Sequence, residues 1–135
     1  APTGSERGLT LRSPGRYTAT VQRLLELGRD QGGHRDQLAQ AWMDAEAYRL
    51  FTLQQVSAEQ AGRGRPGESS LNKLFWSELD IRLHETALEL LGPESELENA
   101  WSKGFQFALS GPIYAGTNEV QRNIVAERLL GLPRK

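Results

Sequence analysis

The chain has 135 residues, of which 38% are hydrophobic and 24% charged, a composition typical of one soluble globular domain with a modest core. Its net charge of −1 and its lack of cysteine argue against a nucleic-acid partner and exclude disulfide bonds and thiolate chemistry. No apolar run approaches the about 20 residues that span a bilayer, and no signal-peptide pattern is present, so we expect a cytoplasmic protein with no membrane span.

The apolar residues recur at helical spacing throughout the chain. Residues 1–14 are rich in glycine, proline and serine and predict a flexible lead-in, after which one helical domain is expected to fill residues 15–135. The first predicted helix runs from about Gly15 to Gly28 and stops in the glycine-dense turn 28–33, because glycine is unfavourable inside a helix. Its apolar face is expected to consist of Tyr17, Val21, Leu24, Leu25 and Leu27.

Two longer helices follow, the first from about His34 to Ala61 and the second from about Ser69 to Leu91. The core-facing stripe predicted for the His34–Ala61 helix comprises Leu38, Ala41, Trp42, Ala45, Tyr48, Thr52, Leu53 and Val56. The Ser69–Leu91 helix has two apolar stripes, which indicate burial on more than one side and a central position. They comprise Leu71, Phe75, Leu79, Leu83, Ala87 and Leu90, and on another side Leu74, Ile81 and Leu88.

Gly92 and Pro93 interrupt the chain again. A fourth helix is predicted over about residues 97–108, and a last helix from about Asn118 to Leu130. Helices joined by short glycine- and proline-containing loops predict an all-α fold, an up-and-down bundle of four to five helices.

Most polar residues suggest no chemistry. His34 and His84 lack the i, i+4 partner of a helical zinc pair, so we expect no metal site. Arg63 and Arg65 are interpreted as a surface loop rather than a phosphate contact. Carboxylates two residues apart point in different directions on a helix and are interpreted as solvated faces. These pairs are Asp44 with Glu46, Glu78 with Asp80, and Glu94 with Glu96.

The turn before the last helix is the one place where local sequence suggests a site. Gly116 allows a backbone conformation that a side chain would obstruct, and Thr117 or Asn118 can cap the helix. Free N–H groups at such a turn could hold a ligand's phosphate or carbonyl oxygen. The alternative is an ordinary N-cap, with Glu119 placed favourably by the helix dipole. On spacing alone the ordinary cap is favoured, since capping is far commoner than ligand binding.

Residues 113–133, which begin Ile-Tyr-Ala-Gly-Thr-Asn-Glu-Val-Gln-Arg, closely resemble the C-terminal end of acyl-CoA dehydrogenases. The family pattern is Ile-Tyr-(Glu/Gly/Ala)-Gly-Thr, two variable positions, Ile/Val-Gln-Arg and an apolar helix. The helical organisation from Arg16 onwards also looks like the family's C-terminal domain. Residues 76–79 and 131–133 look like an actinobacterial branch of the family.

The resemblance implies an FAD-dependent enzyme that removes the α-hydrogen of an acyl-CoA thioester as a proton and passes the β-hydrogen as hydride to FAD. It implies electron-transfer flavoprotein as the electron acceptor. It also implies that Gly116 lies near the thioester and that Thr117, Asn118 and Glu119 line the flavin. Association into a homo- or hetero-oligomer through the C-terminal bundles is implied as well, since the family's flavin sites use residues of a neighbouring subunit.

The chain departs from the family pattern at the catalytic base. Many members carry a glutamate where Ala115 stands, and a methyl group cannot accept a proton. Other members place the glutamate on the first helix of this domain. Glu6 lies at roughly the right distance upstream to be that base, although Pro14 and Gly15 are expected to interrupt the helix that would hold it. The alternatives are a base in an upstream segment or in another chain.

The chain also departs from the pattern at two flavin contacts. The family's Arg-x-x-Phe-Gly loop is replaced by residues 28–33, where Arg29 is the candidate substitute contact. The family's Gln-x-x-Gly-Gly turn is replaced by residues 89–93, where Pro93 lacks an N–H that could hold an FAD oxygen.

Three hypotheses remain. The leading one is the C-terminal domain of an FAD-dependent acyl-CoA dehydrogenase that catalyses α,β-dehydrogenation of an acyl-CoA thioester and is inactive as this segment alone. The alternative is a non-catalytic subunit or assembly module of a heteromeric acyl-CoA dehydrogenase. The third, an unrelated helical interaction bundle, requires the C-terminal match to be a coincidence.

Overall fold

The computed structural model describes residues 12–134 and is helical throughout its regular elements. Five α-helices are joined by short loops, which confirms the predicted fold class. They are α1 (Pro14–Gln31), α2 (Arg35–Gln60), α3 (Glu68–Leu91), α4 (Ala100–Ala108) and α5 (Asn118–Ile124). A 3₁₀ turn, Gly92–Glu96, precedes α4, and a π-helical turn, Val125–Leu129, extends α5. Glu6, the candidate base, lies outside the described residues.

The hydrophobic core lies between α1, α2 and α3. Helix α3 contacts each of the other four α-helices, which confirms its predicted central position. The buried core residues are Tyr17, Val21, Leu24, Leu38, Ala41, Ala45, Tyr48, Trp76, Leu79, Leu83, Ala87 and Leu90.

The predicted stop of α1 at Gly28 is wrong. The helix continues to Gln31, and Gly28 is buried where a Cβ atom would collide with Cδ1 of Leu38 on α2. Glycine at this position lets α1 and α2 approach closely, and this packing outweighs the about 1 kcal/mol that glycine costs inside a helix. The chain turns instead at Gly32 and Gly33, whose φ angles are 72° and 78°.

The predicted stripe of α2 is only partly buried. Leu38, Ala41, Ala45, Tyr48 and Thr52 are buried as expected. Trp42 and Leu53, however, are 56% and 53% exposed, so their assignment to the core is wrong. They lie on one side of the helix with Met43 and Leu50, which are 49% and 54% exposed. We call these four residues the α2 apolar face.

Helix α3 is buried on more than one side, but its second buried side is polar. Leu74, Ile81 and Leu88, the predicted second stripe, are only partly covered. The buried polar residues of α3 are Ser70, Asn72, Lys73, Ser77, Asp80 and His84. Hydrogen bonds offset the cost of burying the side chains of Asn72, Lys73, Ser77 and His84, whereas Oδ1 of Asp80 accepts no hydrogen bond within residues 12–134.

Asp80 is buried, although Glu78 and Asp80 were interpreted as a solvated pair. Its exposure is 4%, and its carboxylate lies 3.3 Å from Nδ1 of His84 and 3.8 Å from Nη2 of Arg16. His84 packs edge-on against Trp101 of α4, with 5.6 Å between the ring centroids. The central position of α3 therefore covers residues that spacing alone places on a solvated face.

Helix α4 begins later than its apolar pattern suggested. Leu97, which the pattern assigned to this helix, lies before it and is 66% exposed. Asn99 caps α4, since its Oδ1 accepts hydrogen bonds from the backbone N–H groups of Trp101 at 2.8 Å and Ser102 at 3.0 Å. The Ser102 hydroxyl accepts in return from the Asn99 N–H at 3.0 Å, which completes a capping box.

Candidate functional site

The turn between α4 and α5 has an unusual backbone. Ala115 and Gly116 both have positive φ angles, 54° and 83°. The left-handed conformation costs a residue with a side chain roughly 1–2 kcal/mol, so Ala115 keeps it only because its surroundings hold it there. At Gly116 a Cβ atom would lie 2.6 Å from Nε2 of Gln121. Both features favour glycine at position 116.

Side chains from α3 and α5 hold the carbonyl groups of this turn. Nζ of Lys73 donates to the Gly116 carbonyl at 2.9 Å. Nε2 of Gln121 donates to the Ala115 carbonyl at 3.0 Å. Both carbonyl groups are thus turned towards the domain. The backbone N–H groups of Gly116 and Thr117 have no partner within residues 12–134, and both residues are exposed.

The start of α5 is capped in the ordinary way. Oγ1 of Thr117 accepts the backbone N–H of Val120 at 3.4 Å, as an N-cap threonine does. The pKa of Glu119 is held below its usual range, chiefly by its own backbone N–H and then by the Thr117 hydroxyl. The cap and the free N–H groups are present together, so the two interpretations of this turn are compatible.

Asn118 differs from its neighbours because it is buried, with 3% exposure. Its Oδ1 accepts from Nζ of Lys73 at 2.8 Å. Its Nδ2 donates to the Ser77 hydroxyl at 3.1 Å and to Oε1 of Glu78 at 3.3 Å. The polar atoms of this side chain are therefore engaged within the domain. Of the three residues predicted to line the flavin, Thr117 and Glu119 are exposed, whereas Asn118 supports the turn from inside.

An aromatic stack fixes the other side of the turn. The guanidinium of Arg12 lies 5.0 Å from the ring centroid of Trp76 and 5.5 Å from that of Tyr114, and it donates to the Tyr114 hydroxyl. The Arg12 carbonyl accepts from the Tyr48 hydroxyl at 2.7 Å. The chain just before α1 is thus attached beside the turn, within the segment predicted to be a lead-in.

Sequence reasoning missed Arg12 and Lys73. Arg12 lies among glycine and proline residues that suggested no structure. The one signal for Lys73 was a lysine inside the apolar run of a helix expected to be buried on more than one side. Its partners at the turn lie 43 and 45 residues further along the chain. Local spacing therefore could not have paired them with Lys73.

The structure does not bring Arg29 to the turn. Arg29 is exposed in the last turn of α1, whereas the start of α1 lies beside the turn. At about 1.5 Å per residue along a helix, Arg29 and the first residue of α1 are roughly 22 Å apart. Within residues 12–134 no group of three metal-ligating side chains occurs. No helix of the described chain is long and apolar enough to cross a membrane.

Known proteins match this chain over most of its length. The family model described as acyl-CoA dehydrogenase, C-terminal domain, matches residues 14–130. Acyl-CoA dehydrogenase IpdE1 of Mycolicibacterium smegmatis is 36% identical over 141 residues, which is 96% of this chain and 35% of that protein. IpdE1 of Mycobacterium tuberculosis is 35% identical over 142 residues, again 96% of this chain and 36% of the relative. The chain thus spans about a third of these relatives' length.

Solved structures share the fold. The ChsE4–ChsE5 complex from Mycobacterium tuberculosis has a TM-score of 0.80 at 23% identity, covering 94% of this chain and 37% of that one. The Tcur3481–Tcur3483 steroid ACAD has a TM-score of 0.80 at 22% identity, with 90% and 35% covered. Butyryl-CoA dehydrogenase from Megasphaera elsdenii has a TM-score of 0.72 at 22% identity, with 87% and 33% covered.

Proposed function

The chain belongs to the acyl-CoA dehydrogenase family, and we propose that it is the C-terminal domain of an FAD-dependent member that dehydrogenates an acyl-CoA thioester between its α and β carbons. The observation that carries the proposal is the turn Ala115–Asn118. Its carbonyl groups are held by Lys73 and Gln121, and its exposed side offers free N–H groups beside Thr117. The family places its reacting groups against this segment.

We propose that the exposed side of the turn faces FAD. FAD, when bound, supplies the acceptor for the hydride. Thr117 and Glu119 would line the flavin, and the N–H of Gly116 would lie near the thioester oxygen. Asn118 would contribute by holding the turn in place. Arg29 lies at the end of α1 that is remote from this turn. We therefore propose that it reaches a flavin shared with a neighbouring subunit.

The proton acceptor is not at the turn, because Ala115 has only a methyl group there. Glu6 remains a proposal for this role, together with a glutamate upstream or in another chain. Electron-transfer flavoprotein is the proposed electron acceptor, on the family resemblance. We also propose a homo- or hetero-oligomer in which the α2 apolar face is buried, since exposed apolar patches of this kind mark association surfaces.

A second candidate function is a non-catalytic subunit of a heteromeric acyl-CoA dehydrogenase. Ala115 at the base position favours it, and so does a structural neighbour that is a complex of two proteins, ChsE4 and ChsE5. Gene context separates the candidates. A reading frame continuous upstream of Ala1 means a domain of one enzyme, whereas a start codon at this point beside a dehydrogenase gene means a subunit.

The test compares the 135-residue chain with the full-length or assembled protein. FAD content is measured by absorbance, and dye reduction is measured with straight-chain and steroid-derived acyl-CoA thioesters. We expect stoichiometric FAD and dye reduction from the assembled protein and neither from the chain alone. Stoichiometric FAD with dye reduction in the chain alone would overturn the idea that it is one part of a shared site. An assembled protein without FAD would overturn the proposed function.

A further inference from the structure

The proposed function of the turn raises the question of what the lysine beneath it does. We propose that Lys73 is a positioning residue, whose buried ammonium fixes the left-handed turn Ala115–Gly116. We further propose that its charge makes the outer side of the turn favour a ligand group that carries negative charge. The role of the charge rests on the proposed function, whereas the positioning role does not.

The Lys73 side chain is buried, and hydrogen bonds and an aromatic contact hold it in place. The residue is 1% exposed. Its Nζ donates to the Gly116 carbonyl at 2.9 Å and to Oδ1 of Asn118 at 2.8 Å, and it lies 6.0 Å from the ring centroid of Trp76. These contacts join the middle of the turn to the first residue of α5. Loss of the ammonium would remove one part-buried and one buried hydrogen bond, so the Gly116 carbonyl would lose its donor from α3 and Oδ1 of Asn118 would keep only the Ser77 hydroxyl at 3.3 Å.

The charge of Lys73 has no carboxylate partner of its own. It takes part in none of the ion pairs formed within residues 12–134. The carboxylate of Glu78 is paired with Arg122 instead. Burial lowers the pKa of Lys73, while Glu119 and Glu78 act in the opposite direction. A buried, unpaired ammonium is expensive for a fold.

A structural role alone does not require this charge. Gln121 holds the neighbouring carbonyl of Ala115 with a neutral amide, so a neutral donor can do the same work in the same turn. The Lys73 ammonium lies directly behind the Gly116 carbonyl, and the exposed N–H groups of Gly116 and Thr117 lie in the same short turn. Positive charge close to outward N–H groups favours an anionic ligand group at that surface. FAD, when bound there, would supply such a group, since a hydride brings negative charge to it.

The experiment removes the charge and keeps most of the stem with Lys73→Met. Lys103→Met is the matched control, because the Lys103 side chain is 66% exposed. Hydrogen exchange of the Asn118 N–H, which donates to the Pro112 carbonyl at 2.9 Å, reports on the turn in the 135-residue chain. The two-electron reduction potential of bound FAD reports on the charge in the full-length or assembled protein.

We expect Lys73→Met to speed exchange at Asn118 at least tenfold. We also expect it to weaken binding of reduced relative to oxidised FAD about tenfold, which is a shift of about −30 mV for a two-electron couple. Lys103→Met should change neither quantity. If Lys73→Met exchanges like Lys103→Met, the positioning role is overturned. An unchanged potential in a protein that holds FAD overturns the role of the charge.

Lys73→Gln keeps a neutral hydrogen-bond donor and is measured in place of Lys73→Met if that variant does not fold. It is expected to preserve slow exchange at Asn118 and still to lower the potential. Failure of the proposed function has a different signature, since wild-type assembled protein would then contain no FAD while the exchange measurement still decides the positioning role.

Discussion

Replacing Gly116 by alanine isolates the close contact within the turn. The Cβ atom adds two costs. A left-handed residue with a side chain loses roughly 1–2 kcal/mol, and a Cβ atom 2.6 Å from Nε2 of Gln121 displaces the hydrogen bond to the Ala115 carbonyl, worth about 1 kcal/mol. We expect Gly116→Ala to lower the free energy of unfolding by about 2–3 kcal/mol in total.

Gly33→Ala is the control that separates the two costs. Gly33 has a similar φ of 78°, but a Cβ atom there meets nothing within 4 Å. It should therefore lose only the backbone part, roughly 1–2 kcal/mol. Urea unfolding followed by circular dichroism of both variants gives the difference, expected to be about 1 kcal/mol.

A double variant checks the cause of this difference. In a Gln121→Ala background the side chain that blocks position 116 is gone, so the extra cost of Gly116→Ala over Gly33→Ala should vanish. Equal destabilisation by the two alanines in the wild-type background would refute the reasoning. So would an extra cost that persists after Gln121 is removed.

Three further predictions concern other parts of the domain. Tyr48→Phe removes the donor to the Arg12 carbonyl and should cost about 1–3 kcal/mol in urea unfolding. The pKa of Glu119 is lowered in the folded chain, so its ionised carboxylate should stabilise the fold fully above pH 4.5 and less as the pH falls below that value. The measurement is the difference in free energy of unfolding between wild type and Glu119→Gln as a function of pH, and a difference that grows on acidification contradicts the prediction. Leu53→Glu on the α2 apolar face should abolish association in sedimentation while circular dichroism still shows a helical fold, whereas Leu97→Glu, also at an exposed leucine, should leave association intact.

Apolar spacing was enough to predict the helices and the central position of α3, since apolar residues at three- and four-residue steps form one face of a helix. It could not separate the core side of α2 from its exposed side, because Trp42 and Leu53 fit the same spacing whether or not they face α1 and α3. Gly28 was misread because the cost of glycine in a helix is local, whereas its benefit depends on Leu38 of the next helix.

Only the exposed part of the candidate site could be predicted from the sequence. The turn and the cap at Thr117 depend on adjacent residues and could be predicted. The support of the turn could not, because lysine is almost never fully buried and nothing near Lys73 in sequence indicates that it meets Gly116. The burial of Asn118 could not be predicted either, since it depends on hydrogen-bond partners from α3.

The stack of Arg12 on Tyr114 joins residues 102 positions apart. Bringing together residues of such separation costs loop-closure entropy, which the packing of the helices between them offsets. We expect that a chain whose helices have formed without this contact holds no ordered turn and therefore offers no ordered surface to a ligand.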